Sequence, residues 1–246
     1  MSKELLRELD NFYTQKKIAC ISTDKPETTY IIHKDEYRLT KSMNGRRKPE
    51  FITGRWCARK AIERLGHSYK DPILSGSNGE PIWPDFITGS LSHSKKIYCA
   101  IASNVDDYVS IGIDVEDLDR RVSDRAFDLI ANDDEKKWVQ KIDNLNDELF
   151  SLFKLLIFSA KESVFKAVYP LVQKNFSFDA VSLKLVELDK ILTNYKEKIV
   201  VKGEYELVFN KSLNENFKQD KSLKGSFIFN KHHIVTTCLI DKKKTF

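Results

Sequence analysis

The sequence predicts an α+β fold made of two similarly built lobes, and three observations carry that prediction. Each half of the chain gives helix-patterned segments first and strand-patterned segments after them. The stretch 71–89 holds Pro72, Gly76, Gly79, Pro81, Pro84 and Gly89, too many breakers for regular structure, and reads as a structured loop. With 246 residues, 41% of them hydrophobic, the chain has the material for one large domain or two of about 120 residues each. The division is expected near 117–122, giving lobes 1–117 and 118–246. No residue-level repeat is visible between them.

Taken in order, Leu5, Leu6, Leu9 and Phe12 recur at helical spacing over 3–13. Strand-like residues follow at 28–33, and Gly45-Arg46-Arg47-Lys48-Pro49 breaks the pattern. Residues 50–65 read as a helix with Phe51, Trp56 or Cys57, Ala61 and Leu65 inward and Gly66 as its stop. Beyond the loop, one strand is expected through 90–102 and another through 108–116. Helical segments resume over 123–141, with Ser123 as N-cap. A long helix over 147–168 is expected to end before Pro170, because proline lacks the N–H a helix interior needs. Strands at 180–187, 199–209, 225–230 and 233–240 complete the chain, with 210–224 a loop and Lys242-Lys243-Lys244 a solvated tail.

Composition bounds the partners. The net charge of +5 favours an anionic partner. Interspersed acids, the absence of zinc-finger spacing and the lack of a stacked-aromatic motif argue against nucleic acid. Cys20, Cys57, Cys99 and Cys238 lie far apart with no CxxC pair, as expected of free thiols in a reducing compartment. The charged N-terminus lacks the apolar core of a signal peptide, and no segment nears the ~20 apolar residues of a membrane helix. These features predict a cytoplasmic protein with no integral membrane contact; a monomer is the default.

The chemistry-bearing residues lie in GIDVE (112–116) and FSAKESVFKAVYP (158–170). On a strand, Asp114 and Glu116 stand two apart and point to one side. On a helix, Glu162 and Lys166 stand four apart and share a face. Three carboxylates supply the hard oxygen donors that suit Mg²⁺, which usually completes its shell with water and substrate phosphate oxygens. The flanking Lys161 and Lys166 suggest a phosphate-bearing substrate. Each piece also has an ordinary reading: Asp114 and Glu116 as a solvated strand end, Glu162 and Lys166 as a surface pair, and His93 as a capping or core histidine. The buried lead-in Ile111-Gly112-Ile113 weighs against a solvated strand end, since buried carboxylates need partners. The same acids and lysines would also serve a metal-dependent nucleotide phosphodiesterase that delivers water to a phosphate.

GRRKPEFITGRWCARKAI (45–62), GEPIWPDFITGSLSHS (79–94), GIDVE and FSAKESVFKAVYP occur in the order and spacing of 4′-phosphopantetheinyl transferases. The match resembles the subgroup that serves siderophore synthetases, over roughly residues 45–170. That resemblance implies a pseudo-twofold pair of α+β lobes. It also implies transfer of the phosphopantetheine arm of coenzyme A to a serine of an apo acyl, aryl or peptidyl carrier protein, with release of adenosine 3′,5′-bisphosphate. By the same resemblance Asp114, Glu116 and Glu162 are the Mg²⁺ ligands, and Glu162 is also the candidate base, directly or through a metal-bound water. Lys161 and Lys166 face the pyrophosphate as catalytic groups, Ser92 and His93 meet the 3′-phosphate side of coenzyme A, and Arg47 and Arg55 grip that phosphate. Ser75 stands where relatives often carry a lysine. A noncatalytic carrier- or coenzyme-binding descendant of such enzymes is the remaining alternative.

Overall fold

A computed structural model of the chain describes residues 3–27, 30, 32–95, 97–143, 147–186, 191, 193–195 and 198–242. The described chain divides into two compact units, 1–111 and 112–246. The division comes earlier than the expected 117/118 boundary. It falls inside the strand Tyr108–Asp117, so Asp114 and Glu116 belong to the second unit rather than the first. The fold class is α+β, with antiparallel sheets and packed helices in each unit.

In the first unit, α1 (Lys3–Thr14) buries Leu5, Leu9 and Tyr13. Strand β1 (Ala19–Thr23) is followed by a short helix the periodicity did not announce, α2 (Lys34–Thr40). The strand-like stretch 28–33 falls partly outside the described residues. Glu36 at the third position of α2 accepts from the His33 amide at 3.1 Å, while the His33 ring accepts from the Asp35 amide at 3.2 Å. The expected helix forms as α3 (Arg47–Arg64).

The single strand expected over 90–102 is two, β2 (Ile87–His93) and β3 (Tyr98–Asn104), turned where the Ser94 amide donates to the Ile97 carbonyl at 2.8 Å. The sheet order is β1-β3-β2. Small side chains let α3 lie close on it: Cys57, Ala58, Ala61 and Ile62 meet Ala19, Ala100 and Ala102. Trp83 packs over Gly89, where an added Cβ would stand 2.5 Å from the indole, so the loop is fastened to the sheet by that ring.

The strands β4 (Tyr108–Asp117, which enters the second unit at Gly112), β8 (His233–Asp241), β7 (Ser222–Phe229), β6 (Val201–Phe209) and β5 (Val181–Leu185) form a sheet in that order. Helix α4 (Asp124–Ile130) is capped by Ser123, whose hydroxyl accepts from the Ala126 amide at 3.2 Å. Helix α5 (Asp133–Asp143) follows. The long helix α6 (Asp147–Val172) is 26 residues and apolar nearly all round, burying Leu152, Phe153, Leu156, Ile157, Ala160, Val164, Ala167 and Val168.

Helix α6 runs through Pro170 rather than stopping before it. Pro170 removes one i→i−4 bond, but only two helical residues follow it, so little helix is left to disrupt, and the helix closes with Gln173 at φ 52°, its amide donating to Tyr169 at 2.8 Å. Strand β7 starts at Ser222, inside the expected loop, and the lysine tail past Lys242 lies outside the described residues. No described helix is long and apolar enough to cross a membrane.

Candidate active site

The acids of GIDVE sit on β4 with the alternation a strand imposes: Gly112, Asp114 and Glu116 are on one side, Ile111, Ile113 and Val115 on the other. Gly112 sets the spacing. A Cβ there would stand 1.9 Å from the Ser163 carbonyl oxygen and 2.7 Å from the Ala167 nitrogen, so only glycine lets β4 lie against α6.

Two residues on, Asp114 is gripped from α6 on both oxygens. Ser159 donates to Oδ2 at 2.8 Å and Lys166 donates to Oδ1 at 2.7 Å. Glu116 is buried and paired with the Arg120 guanidinium, which also lies 4.5 Å from the centre of the Phe158 ring. Glu162 stands one helical turn before Lys166, partly buried. Burial pushes both the Glu116 and the Glu162 carboxyl up. Arg120 pulls Glu116 back first, and Lys166 pulls Glu162 back first, while Asp114 pushes both further up.

All donors in this group are carboxylate oxygens, which fit a hard divalent cation in kind. A cation would also relieve the cost of ionising the buried Glu116 and Glu162. The three carboxylates are not, however, gathered as a ready cage. Among the described residues no group of three His, Cys, Asp or Glu side chains is arranged to hold a metal ion. Asp114 and Glu116 hold cations of the chain instead.

Lys161 does not join this group. Its side chain is fully buried, and its ammonium donates to Glu135 Oε2 at 2.8 Å, the Ile130 carbonyl at 2.8 Å and the Phe178 carbonyl at 3.2 Å. All three donors are used within the protein, which corrects the expectation of a phosphate-facing lysine. Burial lowers its pKa, with Glu135 opposing the shift. Glu135 in turn closes a capping box with Asn132 and accepts the Leu183 amide at 2.6 Å, tying α5, α6 and β5 together. Beside this clamp a cavity of about 180 Å³ is lined by Glu162, Phe165, Phe176, Phe178 and Val181.

The other expected residues lie in the first unit. Arg47 is exposed at the start of α3. Half-exposed His93 stands 3.1 Å from Glu50 of the same helix, and Ser92 is buried beside it on β2. Arg55 is not a free phosphate grip. Buried against the Phe51 ring, it donates to the carbonyls of Ile73 at 2.6 Å and Leu74 at 3.2 Å and to Ser75 Oγ at 3.1 Å. Burial lowers its pKa to about 10. Ser75 thus serves as an acceptor that helps Arg55 shape the loop.

Sequence reasoning missed Ser159, Arg120, Glu36 and Glu135. Only the last had a readable signal: Asn132-Asp-Asp-Glu135 is a capping-box pattern.

Residues 35–103 match the model of the 4′-phosphopantetheinyl transferase N-terminal domain, and residues 110–215 that of the 4′-phosphopantetheinyl transferase superfamily. The 4′-phosphopantetheinyl transferase Svp of Streptomyces mobaraensis is 36% identical over 138 residues, 56% of this chain and 54% of the relative. PptT of Mycobacterium tuberculosis is 35% identical over 134 residues, 54% and 56% of the two chains. Enterobactin synthase component D of Salmonella typhi is 31% identical over 139 residues, 56% and 54%. The chain spans about half the length of these curated relatives.

Proposed function

We infer that this chain, which belongs to the 4′-phosphopantetheinyl transferase superfamily, moves the phosphopantetheine arm of coenzyme A onto a serine of an apo carrier protein. The observation that carries this reading is the junction of β4 and α6, where Asp114 is held by Ser159 and Lys166 with Glu162 one turn away. The matched relatives include the siderophore protein enterobactin synthase component D, which favours an aryl or peptidyl carrier.

Asp114, Glu116 and Glu162 are the residues that would hold Mg²⁺. When bound, it supplies charge neutralisation at the diphosphate. The chain's own residues do the rest. Glu162, which lines the cavity on α6, is the candidate base that takes the proton of the carrier serine as the serine oxygen bonds to the β-phosphorus. The bond from that phosphorus to the bridging oxygen breaks, and adenosine 3′,5′-bisphosphate leaves with the electron pair. Lys166, paired with Asp114, is the cation that would turn toward the charge building on the leaving phosphate. The apolar wall of Phe165, Phe176 and Phe178 beside Glu162 suits the hydrocarbon part of the arm. Arg47, Ser92 and His93 remain the candidates for the 3′-phosphate end.

The test is mass spectrometry of apo aryl, peptidyl and acyl carrier domains after incubation with the chain, coenzyme A and Mg²⁺. A gain of one phosphopantetheine on at least one carrier is expected. No gain on any carrier, or nucleotide release when the carrier is left out, overturns the reading.

A further inference from the structure

Glu116 and its partner differ in how they meet water. The Glu116 side chain is 10% exposed, while that of Arg120 is 48% exposed and reaches the carboxylate from outside. Phe158 on α6 backs the guanidinium, which also acts on Glu162 and pulls its carboxyl down. Lys166 is placed differently, on α6 itself and against Asp114. Three carboxylates therefore face two cations of the chain. The guanidinium engages Glu116 Oε1, one of the two oxygens this carboxylate has to offer a divalent cation, and two cations repel each other at such range.

We propose that Arg120 is a built-in competitor for the divalent cation: it covers Glu116 and so sets how tightly this acid group binds that cation. The proposal rests on the reading of Asp114, Glu116 and Glu162 as the cation's donors. It has a consequence for the substrate. A guanidinium prefers phosphate oxygens in forked geometry, so a diphosphate that engages Arg120 releases Glu116. Diphosphate and divalent cation then favour each other's binding, and by linkage the coupling is the same in both directions. Phe158 keeps the released guanidinium at the site.

The test needs no turnover. Mn²⁺ is titrated into the full chain without coenzyme A, with free Mn²⁺ read by electron paramagnetic resonance, for wild type, Arg120→Gln and Arg121→Gln. Arg121 is exposed and carries the same charge one residue on, so its variant reports a general field effect. Arg120→Gln is expected to bind Mn²⁺ about fivefold more tightly, the scale of a part-exposed ion pair, and Arg121→Gln to match wild type. Wild-type binding with Arg120→Gln unchanged or weaker overturns the proposal and leaves the donor reading standing. Equal tightening in both variants also overturns it. No Mn²⁺ binding by any of the three ends both.

Discussion

In the first unit Glu36, fully buried at the third position of α2, accepts from Arg59 of α3 at 2.7 Å and from the Ile73 amide at 2.7 Å. In the second, Glu135 at the third position of α5 accepts from Lys161 of α6 and from the Leu183 amide. The order is the same in both. A capping-box glutamate starts a helix, a cation on the next long helix neutralises it, and an amide past that helix completes the set. The difference lies in the neighbour. Beside Arg59 stands Lys60, exposed and paired with Glu63, whereas beside Lys161 stands Glu162, facing the acids. One internal clamp recurs in two settings, and only in the second is the neighbour of the clamped cation a candidate site residue. The clamps also differ in completeness: Arg59 leaves Nη1 without a partner among the described residues, while Lys161 uses all three donors.

Changing the neighbours should separate the two clamps most sharply. Glu162→Ala is expected to lower carrier modification by about a thousandfold, a loss on the scale of a general base, in a single-turnover mass assay. Lys60→Ala should leave that rate at the wild-type value. A comparable fall for both would mean that position, not chemistry, matters.

Breaking the clamps themselves should bring the units into line. Glu135→Ala and Glu36→Ala each leave a buried cation uncompensated and should cost about 3–5 kcal/mol in urea unfolding. The paired change Glu135→Leu with Lys161→Met should recover most of that loss, since it leaves no lone charge. If the pair recovers stability but not transfer, Lys161 has a role beyond the clamp.

Gly112→Ala probes a contact specific to the second unit. Relief of the clash with Ser163 should cost about 1–3 kcal/mol by urea unfolding and slow transfer as β4 moves from α6.

The smallest expected effect is on pH. Burial holds the Glu116 and Glu162 carboxyls above the ordinary range, so the folded chain keeps its protons to higher pH than the unfolded chain. Stability of the chain in EDTA should therefore fall as pH rises from the ordinary carboxylate range through the raised values, and Glu162→Gln should flatten that slope. Urea midpoints between about pH 4 and pH 8 check the sign.

The helices and most strands were legible because their apolar periods are local. Leu5, Leu9 and the run through α6 announce themselves, and β4 was found within a residue of its end. What local pattern did not carry was set by distant partners. Helix α2 is short and polar on its surface, and it is fixed by Glu36 reaching Arg59 and Ile73, contacts no window of sequence contains. The strand over 90–102 read as one because Ser94-Lys-Lys-Ile97 lacks the glycine or proline that marks a turn. At the site, spacing singled out Asp114, Glu116, Glu162 and Lys166, and the structure sets Asp114 against Lys166 where β4 meets α6. The expected phosphate-facing roles of Lys161 and, by resemblance, of Arg55 do not match their internal partners, because a buried cation and a phosphate-facing one look alike until those partners are seen.

The grip of Arg55 on the 73–75 carbonyls reaches beyond the loop it shapes. Its guanidinium bonds neutral main chain, while its charge is met by the field of the Glu36 carboxylate from α2. The loop is thus fastened to α3 by main-chain bonds that do not depend on any side chain at its surface. Lysine at position 75 would place a second cation on the first, and the present serine spares the segment that repulsion.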